Sequence, residues 1–124
     1  MIIRLPFPTS KNDLHDPAVN HKTGKAYMRP TDAYKAWKTH AGYALNLAKP
    51  GKIEGPFWAT IRFTRPDDRH RDVQNLPEAV FDLLQAHKII TNDCECQGFS
   101  CEWMNGPYDC WIQIIPCLRR GVVE

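Results

Sequence analysis

No stretch of apolar residues in this sequence approaches the roughly 20 that a membrane-crossing helix needs. The apolar start, Met1-Ile2-Ile3, is broken at Arg4 and Pro6, far short of the core of a signal peptide, so the expected compartment is the cytoplasm. Internal repeats and low-complexity segments are absent, which leaves a solenoid no repeating unit to stack. Cysteine is present but not in a framework: the five thiols run Cys94-x-Cys96-x4-Cys101-x8-Cys110-x6-Cys117, an odd number without the paired C-x2-C knuckles of structural zinc sites. The expectation is free thiols that serve as small, half-buried strand residues. A zinc protein built on these cysteines is the alternative. Large net charge is lacking too, at only +2.

What is present is unevenly placed. Residues 1–71 carry 13 Lys and Arg against 6 Asp and Glu, a net +7, while residues 72–124 carry 3 against 8, a net −5. A basic half suits a polyanion and an acidic half suits a cation, unless folding mixes the two on one surface. The length fits a single domain, 1–124, able to bury a real core. Ile2 to Leu5 reads as a short strand ended by Pro6 and Pro8. Residues 9–30 read as a long polar loop, mobile or functional, whose Lys11, Lys22, Lys25 and Arg29 could reach a phosphate backbone. Thr31 or Asp32 caps a first helix, with Tyr34, Trp37, Ala41, Ala44, Leu45 and Ala48 at helical spacing and Pro50-Gly51 as the stop. Phe57, Ala59, Ile61 and Phe63 alternate along a strand. A strand from Cys94 to Met104 with a bulge at Gly98, a turn at Asn105-Gly106-Pro107 and a strand over Trp111 to Ile115 follow, before a loose tail at 118–124. The expected fold class is α+β: two layers, with two helices on one mixed sheet, in the order β-α-β-α-β-β and with a further short β segment at Lys88–Ile90.

The stretch from Pro66 to Asp93 organises the rest. A charged loop, Asp67-Asp68-Arg69-His70-Arg71, leads into an amphipathic helix expected from about Asp72 to about His87. At 100° per residue, Val73, Leu76, Val80, Leu83 and Leu84 share one stripe, and Gln74, Asn75, Glu78, Asp82 and Gln85 fall opposite. Carboxylates beside cations suit a metal-dependent enzyme acting on phosphodiesters.

The run Arg71-Asp72-Val73-Gln74-Asn75-Leu76, then Asp82, then Asn92-Asp93, resembles the RusA family of Holliday-junction resolvases, as does the opening Leu5-Pro6-Phe7-Pro8-Thr9-Ser10-Lys11-Asn12. The resemblance covers about Ile3 to Ile115. It implies an endonuclease that resolves branched DNA in recombination and repair, with Mg²⁺ (Mn²⁺ as the alternative) and no small-molecule cofactor. It also implies a homodimer, whose two-fold symmetry matches that of a four-way junction, and a frequent setting in phages. It makes Asp72 and Asp93 catalytic and metal-binding.

Two positions depart from the family's central Asp-x-Asp-Asn-x-x-Lys. Gln74 stands at the second Asp, where its amide oxygen can still coordinate a metal but brings no charge. Glu78 stands at the Lys. Losing an acid at Gln74 and gaining one at Glu78 keeps the count, so both join the catalytic candidates, and Asp72, Gln74 and Asp93 form the expected metal set. Glu78 also reads as the last residue of a capping box, Asn75-Leu76-Pro77-Glu78. Lys11, Arg69, His70 and Arg71 are the candidate DNA contacts, Arg71 first, unless it pairs with Asp67 or Asp68. The departures also allow a RusA-like dimer that holds junctions and cuts them weakly or not at all. Thiol titration of the denatured, unreduced protein should find all five cysteines free; stoichiometric zinc in the purified protein would overturn that expectation.

Overall fold

The computed structural model describes residues 1–117; the tail expected at 118–124 lies outside the described residues. Among the described residues, six strands and two α-helices form: β1 (Ile2–Leu5), β2 (His15–Val19), β3 (Ala26–Pro30), α1 (Asp32–Ala48), β4 (Phe57–Thr64), α2 (Pro77–Ala86), β5 (Cys96–Met104) and β6 (Cys110–Pro116). The main sheet has the order β1-β6-β4-β5. Strand β6 is antiparallel to both of its neighbours, and β4 and β5 are parallel. The sheet is therefore mixed and carries two helices, as the α+β reading expects.

Alternation decides which face is core. Phe57, Ala59, Ile61 and Phe63 of β4 are buried, as are Ile3 and Leu5 of β1 and Cys110, Ile112 and Ile114 of β6. They join Tyr34, Trp37, Ala41 and Leu45 of α1 and Val80, Leu83 and Leu84 of α2 in one hydrophobic cluster. A parallel pair of strands needs a crossover rather than a hairpin, and α2 with its flanking loops is that crossover between β4 and β5. Register then fixes geometry at one end of the sheet. Leu5 and Phe63 both pair with Cys110, one from each side, so β1 and β4 run in the same direction and their C-terminal ends lie together. Phe7, just past β1, packs edge-on against Phe63 at 6.1 Å and stacks on Trp103 at 6.2 Å between ring centroids.

Helix α1 starts as its sequence dictates. Thr31 is the extended N-cap, its Oγ1 accepting from the Tyr34 N–H at 3.1 Å. The helix ends on Lys49 in the left-handed region, whose N–H donates to the Leu45 carbonyl, directly before Pro50-Gly51. Trp37 is core, and its Nε1 donates to the Pro6 carbonyl at 3.1 Å.

Three local expectations are corrected. The polar segment 9–30 holds an antiparallel hairpin, β2 paired with β3 from His15↔Pro30 to Val19↔Ala26, preceded by a 3-10 turn at Lys11–Asp13. Thr31 anchors it: its backbone N–H reaches the Leu14 carbonyl and its hydroxyl donates to the Asp13 carbonyl at 2.6 Å. Two prolines and a polar composition masked this pairing in the sequence. The second helix begins later than expected, at Pro77, after a separate 3-10 turn over Val73–Asn75. Its buried face is also wider than the stripe, taking in Pro77, Ala79 and Phe81 as well as Leu76, Val80, Leu83 and Leu84. The β segment expected at Lys88–Ile90 is a single parallel bridge, Ile53↔Ile90.

The bulge expected in β5 is real. Phe57 pairs with Cys96 and Trp58 with Gly98, which leaves Gln97 as the extra residue. A Cβ at Gly98 would stand 2.4 Å from Trp58 Cζ3 and 2.9 Å from Cε3. Gly98→Ala should therefore destabilise the protein by about 1–3 kcal/mol, the range for overpacking. Placing it on Trp58→Ala should remove most of that cost, so additive losses in chemical denaturation would refute the clash as its cause.

Candidate active site

The site is built where the C-terminal ends of β1 and β4 come together. The residues leaving β1 and those leaving β4 form two walls of a cleft of about 640 Å³. One wall is Phe7, Pro8, Thr9, Ser10, Asn12 and Asp13, closed by Thr31 and Ala33; the other is Arg69, His70, Arg71, Asp72, Asn75 and Leu76. Sheet folds commonly bind ligands beyond the carboxyl ends of their strands. Two segments nearly sixty residues apart in the sequence, both singled out by the resemblance, thus face one space.

The basic loop owes its shape to one carboxylate. Asp67 accepts the Arg69 N–H at 2.9 Å and both arms of the Arg71 guanidinium, one of them at 3.1 Å, with Arg69 Nε at 3.5 Å. The Arg71 guanidinium first, and then the Arg69 N–H, hold the Asp67 carboxyl well below the usual carboxylate range. Arg71, the first choice for a phosphate contact, is therefore engaged by Asp67, one of the two partners considered for it. It is largely covered and lies 5.6 Å from the Phe7 ring centroid. Arg69 is the open one, with its side chain 80% exposed. His70 is exposed on the same wall. Lys11 is exposed on the 3-10 turn but does not line the cleft, whereas its neighbours Ser10 and Asn12 do.

The acidic residues divide. Asp72, exposed, precedes the 3-10 turn in extended backbone and lines the cleft. Gln74, inside that turn, is exposed and does not line it. Asp93 sits in another 3-10 turn, beside a depression formed with Phe81, Cys94, Cys96, Gly98 and Phe99. It is held there by Gln85, on the last turn of α2, whose Oε1 accepts the Asp93 N–H at 3.0 Å, and by Asn92, whose Oδ1 accepts from Cys94 at 2.9 Å. Asp72 thus stands before α2, and Asp93 is tied to its far end.

The carboxylates that crowd one another are Glu78, Asp82 and Asp93. Desolvation first, then the charges of Glu78 and Asp93, raise the Asp82 pKa above its ordinary value. Tyr34, whose hydroxyl is 3.5 Å from Asp82 Oδ2, is pushed up to about 12 by burial and then by Asp82 and Glu78. The capping box does not form. Leu76, not Asn75, is the N-cap of α2; it is in helical backbone, with no side-chain cap, because the preceding 3-10 turn has already committed Asn75, whose N–H donates to the Asp72 carbonyl. Glu78 is left exposed and faces Asp82 one turn along.

Among the described residues, no three His, Cys, Asp or Glu side chains stand close enough together to hold a metal ion. The ligand set implied by the resemblance is two carboxylates and an amide, all exposed oxygen donors. That chemistry fits a hard cation that keeps most of its waters. Sequence reasoning offered Asp67 as a partner of Arg71 but missed its hold on Arg69, and it missed Gln85 for Asp93 and Tyr34 for Asp82. Of these contacts, only the Asp67–Arg71 pair at i, i+4 leaves a trace in the linear pattern.

A family model described as Endodeoxyribonuclease RusA matches residues 8–113 of the 124. No curated protein matches the chain.

The Asp82 shift yields a test. A raised native pKa means that ionising Asp82 costs stability once pH climbs from its ordinary 3.8 through the native value. Asp82→Asn should accordingly raise the melting temperature at about pH 7 and lose that advantage at about pH 3, where the native Asp82 is protonated. A gain that persists at the lower pH would disconnect it from charge crowding.

Proposed function

Because the chain belongs to the RusA endodeoxyribonuclease family, we propose that it binds four-way DNA junctions and cuts them by Mg²⁺-dependent phosphodiester hydrolysis. Endonuclease activity directed at Holliday junctions is the family's class of chemistry. The observation that carries the reading for this chain is the single cleft in which Ser10 and Asn12 face Arg69 to Asp72.

The roles follow from exposure and charge. Arg69 and His70, open on one wall, bind the phosphate backbone, and Lys11 extends the contact beyond the rim. Arg71, clamped by Asp67, stiffens the loop that presents them. Asp72, Gln74 and Asp93 would hold the metal, which when bound offsets charge on the phosphate and activates water. Mn²⁺ is the alternative ion. Glu78, free of a cap, supplies the negative charge that Gln74 lacks. A homodimer in the cytoplasm would present one site to each of two opposed strands. Among the described residues, no helix is long and apolar enough to cross a membrane.

A second reading, junction binding with weak or no cleavage, is favoured by the same two positions. Gln74 carries no charge and Glu78 cannot hold a phosphate as a Lys would. Cleavage of a synthetic four-way junction with and without Mg²⁺ separates the two readings. Asp72→Asn and Asp93→Asn should each abolish cutting and leave binding intact or tighter, since removing an acid also lowers repulsion of the phosphates. Gln74→Asp should raise Mg²⁺ affinity in a weak enzyme or awaken cutting in a binder. If wild type is inactive and Gln74→Asp with Glu78→Lys stays inactive, the nuclease reading fails.

Binding supplies a further check. Replacing Arg69 and Arg71 by Ala should lower affinity and reduce the slope of log K against log salt by up to about 2, roughly one for each phosphate no longer neutralised. Because Asp67 occupies Arg71, most of that change should already appear in Arg69→Ala alone. Light scattering at working concentration should report a dimer, and a monomer would refute the two-site arrangement.

A further inference from the structure

The β2–β3 hairpin stands apart from the main sheet as its own two-stranded sheet. An isolated two-stranded hairpin is marginal in water, so its residues are expected to pack or to carry polar side chains on both faces. This one does neither over its outer half. Cross-strand partners share a face, so one face holds the pairs His15↔Pro30, Pro17↔Met28 and Val19↔Ala26. The other holds the Asp16–Arg29 ion pair at 3.1 Å and Ala18↔Tyr27. The first face is apolar beyond His15, yet Met28 is 62% exposed and Val19 54% exposed.

That face has a direction. At its root His15 lies edge-on to Tyr34, with 6.0 Å between ring centroids, and Tyr34 is the partner of Asp82. The apolar surface of Pro17, Val19 and Met28 therefore continues outward from the side of the molecule that carries Tyr34 and Asp82. Its stem is continuous with the cleft, because Asp13 and Thr31 line the cleft and are hydrogen-bonded to each other. The tip is ordered and basic. Asn20 closes it by accepting the Lys22 and Gly24 N–H groups, at 2.9 and 2.7 Å, with Gly24 at φ +70, and Lys22 and Lys25 are exposed.

An overhanging apolar face with cations at its end matches one feature of branched DNA that linear duplex lacks away from its ends: flat base-pair faces that can be exposed at a branch point, bordered by phosphates. Apolar wedges against unstacked base steps are an established mode of contact in DNA-bending proteins. We propose that Pro17, Val19 and Met28 seat against the exposed base-pair faces at the branch point, with Lys22 and Lys25 holding the flanking phosphates. The hairpin is then the element that discriminates branched from linear DNA, while the cleft holds the strand to be cut. This inference rests on the junction-binding reading above.

The test uses the full chain, a four-way junction with 2-aminopurine at the branch point, and a linear duplex of the same sequence. Wild type should raise the branch-point fluorescence on binding. Val19→Ser with Met28→Ser should abolish that rise and cut the junction-to-duplex affinity ratio about tenfold, with duplex affinity unchanged. Lys22→Ala with Lys25→Ala should weaken binding to both DNAs. All four side chains are exposed, so the melting temperature should hold and an absent signal would not reflect unfolding. A wild-type preference for junctions that survives the Ser pair overturns the inference alone; a wild type with no such preference overturns the junction reading and the inference with it. If the Ser pair turns a dimer into a monomer, the face belongs to a second copy of the chain and the inference is wrong.

Discussion

The pairing of Leu5 and Phe63 with opposite sides of Cys110 is the constraint on which the site depends. It makes β1 and β4 run the same way, so the chain leaves both strands at one end of the sheet. Most of what lines the cleft follows from those two exits, with Thr31 and Ala33 added from the start of α1. Cys110 is fully buried, and burial pushes its thiol pKa up, so it stays an inert neutral residue between the two strands. Phe7, Phe63 and Trp103 then close the floor beneath the loops through aromatic contacts.

Charge is handled above that floor by local pairing, not by burial. Among the described residues there are no buried polar or charged side chains, and each ion pair is at least partly exposed. Exposed pairs contribute little to stability. Asp67 serves instead to fix where two arginines sit, one clamped and one open. On α2 the opposite condition holds: Glu78 and Asp93 both press on Asp82, a region whose electrostatics favour a cation. The charge division at residue 72 is not kept as two separate surfaces: Asp72 lines the same cleft as Arg69 and His70, and Arg62 pairs with Glu102.

Much of this was legible in the sequence because it is local. Alternation gave the buried face of β4, Thr31 gave the start of α1, and Gly98 gave the bulge, each through short-range sterics or hydrogen bonding. The hairpin at residues 15–30 was not legible, since two prolines and a polar composition mask its pairing and no local pattern announces that Thr31 ties its root to residues 13 and 14. The capping box failed for a related reason: the fit of Asn75-Leu76-Pro77-Glu78 to the motif is real, but a 3-10 turn upstream had already committed Asn75. For the site, the family resemblance pointed to Asp72 and Asp93 and the charged loop pointed to Arg69, while Gln85 and Tyr34, which bond to Asp93 and Asp82, carry no signal in a linear pattern.

The sequence by itself determined the first helix, the buried strand face, the family and the chemical inventory of acids and bases, because periodicity, capping and motif spacing act within a few residues. Only the tertiary structure decided that Ser10 and Asn12 share one cleft with Arg69 to Asp72, that Arg69 is open where Arg71 is clamped, and that the crowded acids are Glu78, Asp82 and Asp93. Those outcomes depend on strand direction and register across more than fifty residues of intervening chain, and no short-range preference encodes which two strands will flank Cys110.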